Sequence, residues 1–129
     1  MKKTKKVLLV EDDSAIIDIY QTIIKKAGFE IEVISSGLEM MNRIKNIKTG
    51  EAKKPDIVLL DLVLPDINGL EILEEIRKNN ETKDMVVFIM TNQEDAQLHF
   101  SDGVKPDKFI IKANITPSQL IELVKQKLG

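Results

Sequence analysis

Cysteine is absent from the 129 residues. That excludes a disulfide scaffold, a thiolate zinc site, a catalytic thiol and an iron–sulfur cluster, and it points to a reducing compartment. Histidine is almost absent: His99 stands alone between the fourth and fifth apolar runs and reads as a surface residue. Neither sign of charge is in large excess, with 19 Lys and Arg against 21 Asp and Glu and a net charge of -2. Nothing therefore draws this surface to a phosphate backbone, which argues against direct nucleic-acid binding. Long apolar runs are missing too. Lys2, Lys3, Lys5 and Lys6 precede only Val7 to Val10 before Glu11, Asp12 and Asp13 intervene, short of the ~7 to 15 apolar residues of a secretory signal. No later run approaches the ~18 of a membrane span. The expectation is a soluble cytoplasmic protein without membrane insertion, opening on a short basic start over residues 1–5. What is present, 43% hydrophobic residues, suffices for one core, since a domain of this length buries roughly two-thirds of its unfolded surface. One domain over residues 1–129, with no output domain, is expected.

Five short runs rich in Val, Ile, Leu and Phe organise the chain: Val7 to Val10, Ile31 to Ile34, Ile57 to Leu60, Met85 to Met90 and Phe109 to Ile111. Their starts lie 24, 26, 28 and 24 residues apart, the length of a strand, a helix and two turns. Apart from Glu32 the runs do not alternate with polar residues, as expected of parallel strands covered on both faces. Between them the period becomes helical. Ile16, Ile17, Tyr20, Ile23, Ile24 and Ala27 make one stripe on a helix opened by Asp13 or Ser14 and closed by Gly28. A second helix, from about Gly37 to Lys48, carries Leu38, Met41, Ile44 and Ile47; a third, from about Gly69 to Lys78, carries Leu70, Leu73 and Ile76. A fourth, short one is expected within Glu94 to Asp102. The last begins at Thr116 as N-cap, with Pro117 in the first turn and Gln119 completing a capping box, and turns Leu120, Val124 and Leu128 inward. The fold class is α/β: five β-α units with right-handed crossovers make a doubly wound, five-stranded parallel sheet.

In such sheets sites form beyond the carboxyl ends of the strands. Strand one delivers Glu11, Asp12 and Asp13 there, strand three Asp61, strand four Thr91 and strand five Lys112. Two carboxylates about 4 Å apart repel by about 4 kcal/mol at an effective dielectric of 20, so a cluster of them either binds a cation or raises a pKa. Carboxylate oxygens suit Mg²⁺, and a hydroxyl and an ammonium suit phosphate oxygens. A carboxylate in that company can attack a phosphoryl group in line and become an acyl phosphate. Each residue also has an ordinary role open to it. Asp13 and Ser14 are as well read as helix caps, Thr91 as a strand end, Lys112 as a surface charge and Phe109 as a core aromatic.

Four motifs, Val7-Leu8-Leu9-Val10-Glu11-Asp12-Asp13, Asp61-Leu62-Val63-Leu64-Pro65-Asp66-Ile67-Asn68-Gly69, Phe88-Ile89-Met90-Thr91 and Phe109-Ile110-Ile111-Lys112, resemble those of the receiver domains of two-component response regulators. The chain is similar to the single-domain chemotaxis regulator over nearly its whole length. The resemblance implies the flavodoxin-like (βα)5 fold with strand order 2-1-3-4-5. It implies that Asp61 is the phosphoacceptor, and that Glu11 and Asp12 hold Mg²⁺ with Asp61 and the backbone carbonyl of Val63. Thr91 would be the switch hydroxyl, Lys112 its ion-pair partner and Phe109 the aromatic that changes rotamer. The implied partners are a sensor histidine kinase or phosphotransfer protein as donor and an unknown downstream protein as target, the chain acting as a monomer or a phosphorylation-dependent dimer. It would be a signalling protein rather than an enzyme.

The sequence departs from that pattern in three places. Ala113 follows Lys112 where Pro is usual; a cis bond before Ala costs about 3 to 4 kcal/mol, so a trans bond and a differently aimed Lys112 are expected. Asn92 replaces the small residue after Thr91, where it would crowd or hydrogen-bond the phosphoryl opening. The link Gly103 to Lys108 is longer by about two residues than usual. In that family the residues two beyond the phosphoacceptor and the switch hydroxyl, here Val63 and Gln93, bear on hydrolysis of the acyl phosphate; Val63 has no polar group to orient a water, whereas Gln93 has one, and a fairly long-lived phosphorylated state is expected. Three other readings compete. A Mg²⁺-dependent phosphohydrolase would want Asp-x-Asp after strand one and a cap insertion. A flavin module would want a phosphate loop where Glu11 and Asp12 repel phosphate. A phosphorylation-independent interaction module is compatible with Ala113 and Asn92, and the intact set of Glu11, Asp12, Asp61, Thr91 and Lys112 stands against it.

Overall fold

The computed structural model describes residues 4–93, 100 and 103–129. In chain order it contains β1 (Lys6–Val10), α1 (Ser14–Lys26), β2 (Glu30–Ile34), α2 (Gly37–Thr49), β3 (Ile57–Leu60), α3 (Gly69–Lys78), β4 (Val87–Thr91), β5 (Lys108–Ile111), a single 3-10 turn at Lys112–Asn114 and α4 (Pro117–Leu128). All strand pairs are parallel, in the order β2-β1-β3-β4-β5. The doubly wound sheet expected from the spacing is therefore present. The helix expected within Glu94 to Asp102, and His99 with it, lies outside the described residues apart from Phe100.

The unalternating apolar runs follow from two cores, one on each face of the sheet. Leu8, Val10, Val58, Leu60, Val87 and Ile89 face α2 and α3; their neighbours Val7, Leu9, Ile57, Leu59, Phe88 and Met90 face α1 and α4. Since successive strand residues point to opposite faces, both must be apolar when both faces are covered. The two edge strands are covered less completely, and β2 accordingly carries Glu30 and Glu32.

Local signals set most boundaries. Asp13 caps α1, accepting from the amides of Ala15 and Ile16, and Gly28 follows with φ +92°. The capping box of Thr116 and Gln119 is formed in both directions, with Pro117 at the first helical position. Three elements differ from the expectation. Strand four does not begin at Met85: β4 is Val87–Thr91, because the Met85 amide donates to Thr82 (3.0 Å) and Met85 is spent on a turn, buried but not extended. In α2 the inward stripe is Gly37, Met40, Ile44 and Ile47, and Leu38 is 64% exposed. Its place was misjudged because Gly37, apolar by default, holds the inward position 100° away. Likewise Ile72 joins Leu73 and Ile76 in the core, with Leu70 only half-buried.

Candidate functional site

Register builds the site. Val10 is paired with Ile34 on one side and Leu60 on the other, and the ladder runs one step further: the Glu11 amide donates to Ile34 and the Asp61 amide to Val10, both at 3.0 Å. Two acids following adjacent strands are thus forced side by side. One carboxylate oxygen each from Glu11, Asp12 and Asp61 lies within 4.8 Å of the others. Glu11 (2% exposed) and Asp61 (7%) are buried, and Asp12 faces solvent.

Space for this arrangement depends on Gly69. A Cβ there would sit 2.6 Å from the Asp61 carbonyl oxygen and 2.6 Å from Leu62 Cα. With only hydrogen in that place, the Gly69 amide donates to Leu62 (2.9 Å) and α3 starts directly against the end of β3.

Lys112 crosses the acids. Its Nζ lies 2.5 Å from Glu11 Oε1 and 3.1 Å from Asp61 Oδ2, with 11% of its side chain exposed. The expectation that Ala113 would aim Lys112 elsewhere is therefore corrected. No cis peptide bond occurs among the described residues, yet the trans link still brings the ammonium to both carboxylates; Lys112 opens a 3-10 turn whose Ala113 amide donates to Asn92, just past the end of β4. The other Glu11 oxygen accepts from the amides of Asp12 (3.2 Å) and Asp13 (3.3 Å). Burial raises the Glu11 pKa above the ordinary carboxylate value, opposed by the Lys112 hydrogen bond and reinforced by the charge of Asp61. Burial alone would also favour a neutral amine at Lys112, but Glu11 and Asp61 together outweigh it and hold its pKa above the usual lysine value. Lys112 stays a cation.

Asp61 Oδ1 accepts from the Val63 amide (3.2 Å), which lays the Val63 backbone against the carboxylate while its side chain is 53% exposed. A hollow of about 240 Å³ opens along the loop that follows Asp61, lined by Leu62 to Asn68 and by Gln93. Thr91 is fully buried at the end of β4. Among the described residues its hydroxyl accepts from the Gln93 amide (3.3 Å) and engages neither Asp61 nor Lys112. Phe109 is half-buried in β5 and meets Phe100 edge to face, centroids 5.9 Å apart. The structure thus brings Glu11, Asp12, Asp61 and Lys112 together, with Thr91 one strand away and Phe109 behind it.

Two supporting contacts were not legible in the sequence. Asp66 accepts from the amides of Gly37 (2.7 Å) and Leu38 (2.9 Å) with its two oxygens, capping α2 from the loop that follows Asp61. The other is made by Asn92, whose Oδ1 accepts from the Ala113 amide (3.0 Å). Both link segments more than 20 residues apart, and no local spacing announces either.

The donor set fits a hard divalent cation. Three carboxylate oxygens within 4.8 Å of one another are hard donors close enough to share one such ion. Among the described residues no helix is long and apolar enough to cross a membrane.

Comparison with known proteins agrees. The DNA-binding response regulator MtrA of Mycolicibacterium paratuberculosis is 26% identical over 124 residues, 96% of this chain and 51% of that protein; the chain spans about half the length of the curated relatives it matches. A response regulator receiver domain protein (CheY-like) from Methanospirillum hungatei JF-1 superposes with a TM-score of 0.81 at 30% identity, covering 98% of this chain and 94% of the other. For the phosphorylated cyanobacterial phytochrome response regulator RcpA the values are 0.79 and 29%, over 97% and 91%. The family model described as response regulator receiver domain matches residues 7–125. That match runs from β1 into α4 and takes in every strand end that meets at Asp61: the chain belongs to the receiver domains of two-component response regulators.

Proposed function

We propose that Asp61 accepts a phosphoryl group from a histidine of a sensor kinase or phosphotransfer protein and that the phosphorylated domain acts on a downstream protein. One observation carries this reading: a buried carboxylate held between the Lys112 ammonium and the Val63 amide, beside two further acids. An Asp61 oxygen forms the O–P bond as the donor's P–N bond breaks. Lys112, held as a cation, offsets charge on the equatorial oxygens. Glu11, Asp12, Asp61 and the Val63 carbonyl would hold Mg²⁺, which when bound neutralises the approaching phosphate. The Thr91 hydroxyl, now turned to Gln93, gains a stronger partner once a phosphoryl oxygen is present, and its reorientation would release Phe109 to change rotamer. The protein is a phosphoacceptor rather than an enzyme turning over a separate substrate. It works in the cytoplasm, as a monomer or a dimer formed on phosphorylation, with no direct contact to nucleic acid. The exposed aliphatic Val63 orients no hydrolytic water, which supports a long-lived phosphorylated state; loss of label within seconds would contradict it.

The test is direct. Wild type and Asp61→Asn are incubated with acetyl phosphate, with and without Mg²⁺, and the intact proteins are weighed. Uptake of one phosphoryl group by wild type alone, and only with Mg²⁺, is expected. Equal uptake by both proteins, or none by either, transfers the reading to a phosphorylation-independent interaction module.

A further inference from the structure

The contact between Asn92 and Ala113 joins two of the three places where the sequence departs from the receiver pattern. It lies just past the end of the β4–β5 ladder, whose last register pair is Thr91 with Ile111. Asn92 and Lys112 are the next residues of the two strands, and the Asn92 side chain bridges the two strand ends by accepting from the Ala113 amide at 3.0 Å. That amide needs a partner from elsewhere. It belongs to the first residues of the 3-10 turn, whose N–H groups have no acceptor within the turn, and Ile111 before the turn offers no side-chain cap. Proline at 113 would have no N–H to satisfy. Alanine has one, and Asn92 accepts it.

The consequence falls on Lys112. Its ammonium ends a flexible four-carbon stem and reaches two carboxylates on two other strands. Where it comes to rest depends on where its Cα is rooted. The side chain fixes one end of the residue and the Asn92 bond fixes the backbone immediately after it. Because Asn92 directly follows Thr91, the same bond ties the strand end bearing the hydroxyl to the one bearing the ammonium.

We propose that Asn92 is a positioning residue: by accepting from the Ala113 amide it roots Lys112 over Glu11 and Asp61, and so governs how fast Asp61 takes up a phosphoryl group. The inference rests on the phosphoacceptor reading above. It takes nothing from direct contact between Asn92 and the donor molecule, which separates it from a binding role.

The experiment is a double-mutant cycle. Wild type, Asn92→Ala, Ala113→Pro and the double variant are phosphorylated with a concentration series of acetyl phosphate in Mg²⁺, and uptake is followed by intact mass. Loss of one hydrogen bond with some displacement of Lys112 is expected to lower the maximal rate about fivefold to tenfold in Asn92→Ala. The half-saturating concentration should stay within about twofold, because Asn92 does not bind the donor. Amide exchange at Ala113 should accelerate in the same variant. The double variant should be no slower than the slower single one, because both changes remove the same bond. An unchanged maximal rate in Asn92→Ala, an unchanged exchange rate at Ala113, a raised half-saturating concentration, or losses that multiply in the double variant would each overturn the proposal. Should Ala113→Pro fail to fold, the rate and exchange measurements on Asn92→Ala decide alone. Wild type that takes up no phosphate overturns the phosphoacceptor reading and this proposal together; wild type labelled at Asp61 with Asn92→Ala unaffected overturns only the role of Asn92.

Discussion

Glu32 is a carboxylate set between the aliphatic side chains of Ile31 and Val33, and β2 tolerates it because β2 is an edge. Its side chain pairs with the Arg43 guanidinium from α2 and with Lys6 Nζ (2.8 Å) from β1. The Arg43 hydrogen bond, opposed by partial burial and assisted by Lys6, holds its pKa down to about 2 from an ordinary 4.5. A carboxyl more acidic in the folded state than in the unfolded one stabilises the fold fully above the unfolded value, and this contribution is lost as pH falls through the folded one. The window is pH 4.5 down to 2. Since about a third of the side chain meets solvent, the contribution is about 1 kcal/mol, less than the full shift implies. Glu32→Gln should therefore lower stability at pH 7 by about 1 kcal/mol and flatten the acid limb of a stability-against-pH curve measured by urea unfolding, the two proteins converging as pH falls through that window. An identical acid limb in both proteins would remove Glu32 from the account. The interruption of the apolar run at Glu32 is visible in the sequence, as are Glu11, Asp12, Asp61, Thr91 and Lys112, because a residue following a buried strand has only one place to go. Which cation Glu32 would meet is not visible, since Arg43 and Lys6 arrive from other segments.

Between α2 and the loop after β3 the joint is made by Asp66. Two of the amides at the start of α2 are satisfied by this one carboxylate from outside the helix, while Ser36, the local cap, takes the Glu39 amide. Its pKa is held below the ordinary value by these same amides, first that of Leu38 and, against a small desolvation effect, that of Gly37. Gly37 permits the approach: a Cβ would lie 2.7 Å from Ile67 Cβ and 3.0 Å from Asp66 Oδ1. Asp66→Ala is expected to speed amide exchange at Gly37 and Leu38 and to lower the melting temperature, whereas Ser36→Ala should affect Glu39 instead. Unchanged exchange at Gly37 and Leu38 in Asp66→Ala would show that α2 is capped without it. Existence, order and most boundaries of the helices were readable because caps and periodicity are local: Asp13, Thr116 with Gln119, and Gly69 each stand where they act. The inward face of α2 was not, because Gly37 holds an inward place without an apolar side chain and leaves Leu38 outside. The start of β4 was misjudged because an apolar residue such as Met85 is buried in a turn as readily as in a strand.

For the molecule as a whole, three acids and one lysine gathered at one end of the sheet leave an excess of negative charge that a cation relieves. If Mg²⁺ binds the native site and not the unfolded chain, saturation to about 100 times its Kd adds about 2.7 kcal/mol, raising the melting temperature of a domain this size by roughly 10 °C. Scanning calorimetry should show this rise in wild type and its near disappearance in Asp12→Ala; equal responses would place the ion elsewhere. The opposite end of the sheet is held differently. Arg77 at the end of α3 donates from Nε to the Lys105 carbonyl (2.9 Å), from Nη1 to the Lys83 and Met85 carbonyls (2.8 and 2.7 Å), and from Nη2 to Asp107 Oδ2 (3.0 Å). Asp107 in turn accepts from the Val87 amide (2.8 Å), so the lengthened link before β5 is pinned to the first residue of β4. Strands clamped together at their amino ends cannot slide past each other. If phosphorylation moves the strand ends at Thr91 and Lys112 as proposed, the Arg77 anchor would hold the amino ends of β4 and β5 in place, so that the displacement is a tilt about the base of the sheet.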